Sequence, residues 1–104
     1  MSAYVVMIRE SVTDQAEMDT YARLAQLARE GHDIERLAAY GEMECLEGTE
    51  ADGVLINRFP SMADARRWYD SSPYATARAH RLRGAAYRVF IVEGVDEQPA
   101  VSPG

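Results

Sequence analysis

The stretch Ala3–Arg9, AYVVMIR, decides how this chain folds. It is a continuous apolar run rich in β-branched residues, the pattern of a strand buried on both faces. Side chains alternate along a strand, so Tyr4, Val6 and Ile8 point one way and Ala3, Val5 and Met7 the other. Both sets are apolar, so both faces of the sheet need a cover.

The elements that follow supply a cover for one face. Thr13–Asp14 signals a helix start, and Glu17 completes an Asp-x-x-Glu capping box. Met18, Tyr21, Ala22, Ala25 and Ala28 form a stripe at helical spacing, widened by Leu24 and Leu27. Gly31 marks the stop. Leu37–Leu46 (LAAYGEMECL) reads as a second strand, with Gly41 a candidate bulge. Glu47–Gly53 is a polar turn and Val54–Phe59 a third strand, so these two strands pair antiparallel.

Pro60 ends the third strand and Ser61 caps a helix carrying Met62, Ala65, Trp68 and Tyr69 on one side. The chain restarts at Ser72–Pro73, an N-cap followed by a first helical residue, so Arg66–Arg81 holds two short helices and not one long one. Gly84 ends the second of them. Ala86–Glu93 is the last strand. Residues 1–95 form one domain, and 96–104 read as a flexible C-terminal tail.

The order β-α-β-β-α-α-β is the ferredoxin-like, split βαβ pattern of the α+β class, a four-stranded antiparallel sheet with helices on one face. The other apolar face then requires a partner. Face-to-face pairing in a homodimer, a dimeric α/β barrel, provides one and can enclose a pocket.

The chain has 104 residues and a formal charge of −6, which makes nucleic acid and anionic membranes poor partners. All 11 basic residues are arginine, which removes Schiff-base and P-loop lysine chemistry. Cys45 is the single cysteine, read as a small buried hydrophobe in a strand, and a cytoplasmic setting is expected. MSAYVVMIRE holds no basic region ahead of a long apolar one, so no secretory leader is expected.

Several segments together resemble the domain of unknown function 1330 (DUF1330) family of the dimeric α/β-barrel superfamily. They are Leu46-Glu47-Gly48, Phe59-Pro60-Ser61, Ala65-Arg66-x-Trp68-Tyr69-x-Ser71, Tyr74, Arg81 and Ile91-Val92-Glu93-Gly94. The resemblance implies the ferredoxin-like fold and the barrel dimer. The wider superfamily includes cofactor-independent monooxygenases, isomerases, decarboxylases, haem-degrading enzymes and dye-decolourising peroxidases, so the fold leaves the reaction open. Ala39-Tyr40-Gly41 stands where comparable members carry Arg-Gly-Gly.

The candidate site residues follow from chemistry and position. Arg9 extends the face of Val5 and Met7, and Arg58 shares a face with Val54 and Ile56. The polar residues that family members carry at both positions place them on the open face of the sheet. Two arginines in an apolar cavity bind a carboxylate, a phenolate or an oxyanion. The alternative is an intersubunit ion pair with Glu42 or Glu44. Glu42 and Glu44 lie two apart on the expected second strand, sharing a face with Tyr40. They read either as an acid–base pair or as a solvated rim. His32, in a loop beside Asp33 and Glu35, lacks the i, i+4 spacing of a chelating face, so no metal is expected. His80, flanked by Arg78 and Arg81, reads as a wet-face histidine.

Two function classes remain. In the first, a cofactor-independent enzyme acts on a small anionic or aromatic molecule by proton transfer or oxygenation. Arg9 and Arg58 hold the charge, His32, Tyr40 or Glu42 move the proton, and Trp68 and Tyr74 wall the pocket, with Arg81 among the ligand-binding candidates. In the second, the dimer is a non-catalytic metabolite-binding or protein-interaction module.

Overall fold

The computed structural model describes residues 2–95, and the tail expected over 96–104 lies outside them. The elements run β1 (Ala3–Val12), α1 (Gln15–Leu27), β2 (Glu35–Ala39), β3 (Gly53–Phe59), α2 (Met62–Tyr69), α3 (Ser72–Gly84) and β4 (Ala85–Glu93). The strands form one four-stranded antiparallel sheet in the order β2-β3-β1-β4. This is the expected α+β, ferredoxin-like arrangement. Among the described residues, no helix is long and apolar enough to cross a membrane.

Register fixes the two faces. Val5 lies opposite Asn57 and Ile91, and Met7 opposite Leu55 and Val89. Ala3, Val5, Met7 and Phe59 are buried beneath the helices. The other face carries Tyr4, Val6, Ile8, Val54, Ile56, Phe90 and Val92, and within the single chain Phe90 stays 49% exposed. β1 is thus fully buried on one side and only half-buried on the other.

Local chemistry sets the boundaries. Asp14 caps α1 by accepting from the Glu17 amide at 3.2 Å. Ser61 caps α2 in the same way, accepting from the Asp64 amide at 3.0 Å. At the α2–α3 break the cap is Ser71, one residue earlier than expected. Its hydroxyl donates to the Trp68 carbonyl at 2.7 Å and accepts from the Tyr74 amide at 3.4 Å. One side chain therefore closes α2, opens α3 and fixes Trp68 relative to Tyr74. The two rings pack with centroids 4.1 Å apart.

The second strand is shorter than expected. β2 stops at Ala39 because Tyr40 takes φ 57°, a left-handed turn that no extended strand can contain. The expected strand residues Gly41–Leu46 are irregular and exposed, with Leu46 87% exposed. Cys45 is correspondingly exposed and not a buried strand residue; its thiol faces the Glu47 and Gly48 carbonyls.

α1 leans chiefly on α3 and makes few close backbone approaches to the sheet. Gly84 permits this. A β-carbon there would stand 2.9 Å from Glu17 Cβ and 3.0 Å from the Asp14 carbonyl oxygen. The Gly84 carbonyl in turn accepts from the Thr13 and Asp14 amides, at 2.8 and 3.1 Å. Across the same contact Arg83 and His80 reach Glu17. The Arg83 hydrogen bond is the leading cause holding the Glu17 carboxyl below the usual carboxylate range, with His80 adding to it.

Two outcomes follow from this contact. Gly84→Val is expected to lower stability by about 1–3 kcal/mol through overpacking, read as a lower urea midpoint with unchanged slope. Glu17 has a depressed folded-state pKa, so its contribution is present above the unfolded value of 4.5 and is lost as pH falls through the folded one. The melting-temperature gap between wild type and Glu17→Gln should therefore hold steady near neutrality and close in acid. A gap that widens in acid would contradict the pairing.

Candidate functional site

Because α1 rests on α3, a cavity of about 390 Å³ remains between α1 and the sheet. Small side chains on the sheet-facing side of α1, Ala22 and Ala25, leave it unfilled. Its walls are mainly apolar: Met7 and Leu55 from the sheet, Met18 from α1, and the rings of Trp68 and Tyr74. The volume falls in the range of small-molecule pockets.

Besides Asn57 and the tyrosines, the lining carries the charged or amide side chains of Arg9, Gln15, Asp19, Gln26, Arg29 and Arg36. Tyr21 and Tyr74 hydroxyls meet at 2.8 Å, and so do those of Tyr40 and Tyr87. A hydroxyl pair owns two protons and uses one between its members, so each pair keeps one O–H to offer. Burial pushes all three of Tyr21, Tyr40 and Tyr74 above the ordinary tyrosine value; at Tyr40 the bond to Tyr87 adds to it, and at Tyr74 the charge of Arg81 opposes it. These phenols are donors and not bases at neutral pH.

Arg81 is only 3% exposed and lies behind the tyrosines, its guanidinium carbon 5.0 Å from the Tyr87 ring centre and 6.0 Å from that of Tyr21. Among the described residues it forms no ion pair with a carboxylate, and its Nε has no hydrogen-bond partner. Two residues of the cavity lining, Trp68 and Asn57, also carry a buried unpartnered atom, Nε1 and Oδ1. A folded chain ordinarily satisfies such groups, so each calls for an explanation.

The rim is built from Tyr40 and Arg9. The Arg9 guanidinium carbon lies 4.4 Å from the Tyr40 ring centre, and Nε donates to Asp52 at 2.8 Å. The Asp52 amide donates to the Arg9 carbonyl at 2.7 Å, and the Tyr40 amide to the Val54 carbonyl at 2.9 Å. A non-glycine residue in the left-handed region costs about 1–3 kcal/mol and persists only where its surroundings enforce it. Gly53 makes room: a β-carbon there would stand 2.7 Å from Tyr40 Cδ1.

The structure brings Arg9, Tyr40, Trp68 and Tyr74 to this cavity, with Arg81 behind them. It separates the rest. Arg58 lies on the opposite face of the sheet from Arg9, bonded to Ser2 Oγ at 3.2 Å and to Glu35 at 3.2 Å. The two arginines therefore cannot hold one anion, and the carboxylates shown paired with them among the described residues are Asp52 and Glu35, not Glu42 or Glu44. Glu42 is exposed beyond the end of β2 and does not share a strand face with Tyr40. His32 is half-buried past the end of α1 with Nδ1 unpartnered, but it does not line the cavity. His80 is half-buried on the α1–α3 contact rather than on a wet face.

Tyr21, Tyr87 and Asn57 were missed. Tyr21 read as an ordinary member of a helical stripe, and Tyr87 lay unremarked within the last strand. Asn57 carried a legible signal: alternation from Ile56 and Arg58 puts this amide on the buried face of a strand, where a polar side chain needs a reason. Among the described residues no three His, Cys, Asp or Glu side chains gather into a metal-holding group.

The fold is shared with solved proteins. One of unknown function from Rhodopseudomonas palustris superposes with a TM-score of 0.71 at 17% identity, covering 91% of this chain and 83% of that one. A dimeric protein of unknown function and ferredoxin-like fold from Bacteroides fragilis gives 0.61 at 10% identity, with 89% and 96% covered. SnoaB, a cofactor-independent oxygenase from Streptomyces nogalater, gives 0.54 at 13%, with 94% and 96% covered. At these identities the likeness is one of fold. Comparison with curated proteins gives no match. The segments singled out above all fall within residues 2–95, which match the model of the domain of unknown function DUF1330, and the chain belongs to that family.

Proposed function

We propose that the cavity binds a small, largely apolar molecule through an oxygen bearing negative charge. The observation that carries this reading is Arg81, a buried cation without a carboxylate partner among the described residues, set behind the tyrosine hydroxyls of the cavity. A desolvated guanidinium costs several kcal/mol unless negative charge comes near it. A bound anion supplies that charge, and the neutral phenols supply hydrogen bonds to it.

The same geometry ranks the reactions. Proton abstraction loses two of its three expected proton movers, since His32 and Glu42 stand outside the lining, and burial keeps the third, Tyr40, protonated. The acidic side chain on the lining is Asp19, exposed and bonded to Gln15 at 2.8 Å. Preorganised donors aimed at an oxyanion instead favour binding, or oxygenation, of a molecule that arrives already ionised.

The open sheet face supports a homodimer. It presents Val6, Ile8, Val54, Ile56 and Phe90 as one apolar surface with no cover from the described chain. Burying such a face against its copy removes apolar area from water at roughly 25 cal/mol per Å².

Two measurements test these readings. A thermal-shift panel of small aliphatic acids, aromatic acids and phenols should contain stabilising members. At about a hundred times its Kd a ligand adds about 2.7 kcal/mol, roughly 10 °C for a domain of this size. Ala25→Phe, which fills the cavity without touching its polar groups, should abolish the shift. A panel without one stabilising member would refute the anion pocket. By light scattering at micromolar concentration wild type should have the mass of two chains and Phe90→Asp that of one, with the far-ultraviolet spectrum kept. A monomeric wild type would refute the pairing.

A further inference from the structure

Arg81, Tyr74 and Tyr21 form a chain of polar groups at the cavity. The Tyr21 oxygen lies 3.9 Å from Met7 Sδ and 2.8 Å from the Tyr74 oxygen, and either hydroxyl can donate across the shorter contact. When Tyr74 donates, the single Tyr21 proton is left for Met7 Sδ or for a ligand oxygen in its place. The positive charge of Arg81 bears on the Tyr74 oxygen. Charge on one end of a hydrogen-bonded chain polarises each bond along it, so in that arrangement Tyr21 is a stronger donor than an isolated phenol. That strengthened donor is spent on a thioether, one of the weakest acceptors a protein has. Any ligand oxygen reaching the wall between Tyr21 and Met7 gains by displacing the sulfur.

The shape around that donor selects among anions. The chain ends in a single O–H, which suits one oxygen rather than the two of a carboxylate. The neighbouring walls are Met7, Met18, Leu55 and the Trp68 ring, a surface for a flat apolar body. An anion whose charge spreads into a ring is less costly to take out of water than a localised carboxylate. Its oxygen also matches a tyrosine donor closely, because the two are chemically alike.

Resting on the anion-pocket reading above, we propose that the Arg81–Tyr74–Tyr21 chain holds the single oxygen of a small phenolate, whose ring fills the cavity beneath α1.

The test uses the whole chain and para-nitrophenol, whose phenolate is coloured and whose ionisation lies near neutral pH. Titrated with saturating protein, the bound phenol should ionise at least one pH unit lower than the free one, since the chain binds the anion at least tenfold better than the neutral form. Tyr21→Phe, which keeps the ring and removes the terminal donor, should lose most of that shift and bind the phenolate at least tenfold more weakly while melting cooperatively. The wild-type titration stands by itself if the variant fails to fold. Unmoved or raised ionisation on binding would overturn the proposal, as would an unchanged shift in a folded Tyr21→Phe. If benzoate binds and para-nitrophenol does not, the phenolate assignment falls while the anion pocket survives. If neither these nor any other acid or phenol of the panel binds, both fall.

Discussion

Everything at the candidate site depends on where α1 comes to rest. Gly84 presents bare backbone to the first turn of α1, so the helix settles on α3 through Asp14, Glu17 and Met18. Resting there, it reaches the sheet only through its longest side chains, Tyr21 touching Met7 among them. The alanines between leave a gap. A helix packed flush on the strands would have buried the same stripe and left no cavity. The space is thus a by-product of one close helix–helix contact, and the tyrosines turn it into a polar-ended slot.

The price in stability is visible around that slot. Asn57 and Trp68 each keep a buried polar atom unsatisfied, Arg81 is buried without an acid, and Tyr40 sits in a strained backbone region. Any one of these could be an accident of packing. Asn57, Trp68 and Tyr40 line the cavity and Arg81 stands behind its tyrosines, which accords with the binding role proposed above. The rest of the core shows no such tension: Ala3, Val5, Phe59, Ala65 and Ala77 pack as an ordinary apolar layer.

Much of the architecture was legible in the sequence because it rests on local signals. The caps at Asp14 and Ser61, the break before Pro73 and the stop at Gly84 each state their role in one or two residues. The two apolar faces of β1 were equally plain. The site was only half legible, since it depends on register across the sheet. Arg9 and Arg58 look alike in the sequence, yet antiparallel pairing puts Arg9 opposite Gly53 and Arg58 opposite Tyr4, on different faces. Glu42 was misplaced for a related reason. A left-handed Tyr40 has no sequence signature, and without it the strand reads straight on through Leu46.

The fit between Gly53 and Tyr40 carries a consequence for descent. The ring of Tyr40 and the guanidinium of Arg9 occupy the volume that any side chain at 53 would need. The two positions therefore share one allowance of space. In lineages that keep an aromatic residue at 40, glycine at 53 should be held fixed, and where 53 has gained a side chain, 40 should have shrunk or turned away. Positions far apart along the chain would then drift as a pair, and the record of that joint drift would mark which members of the family have retained the rim of this cavity.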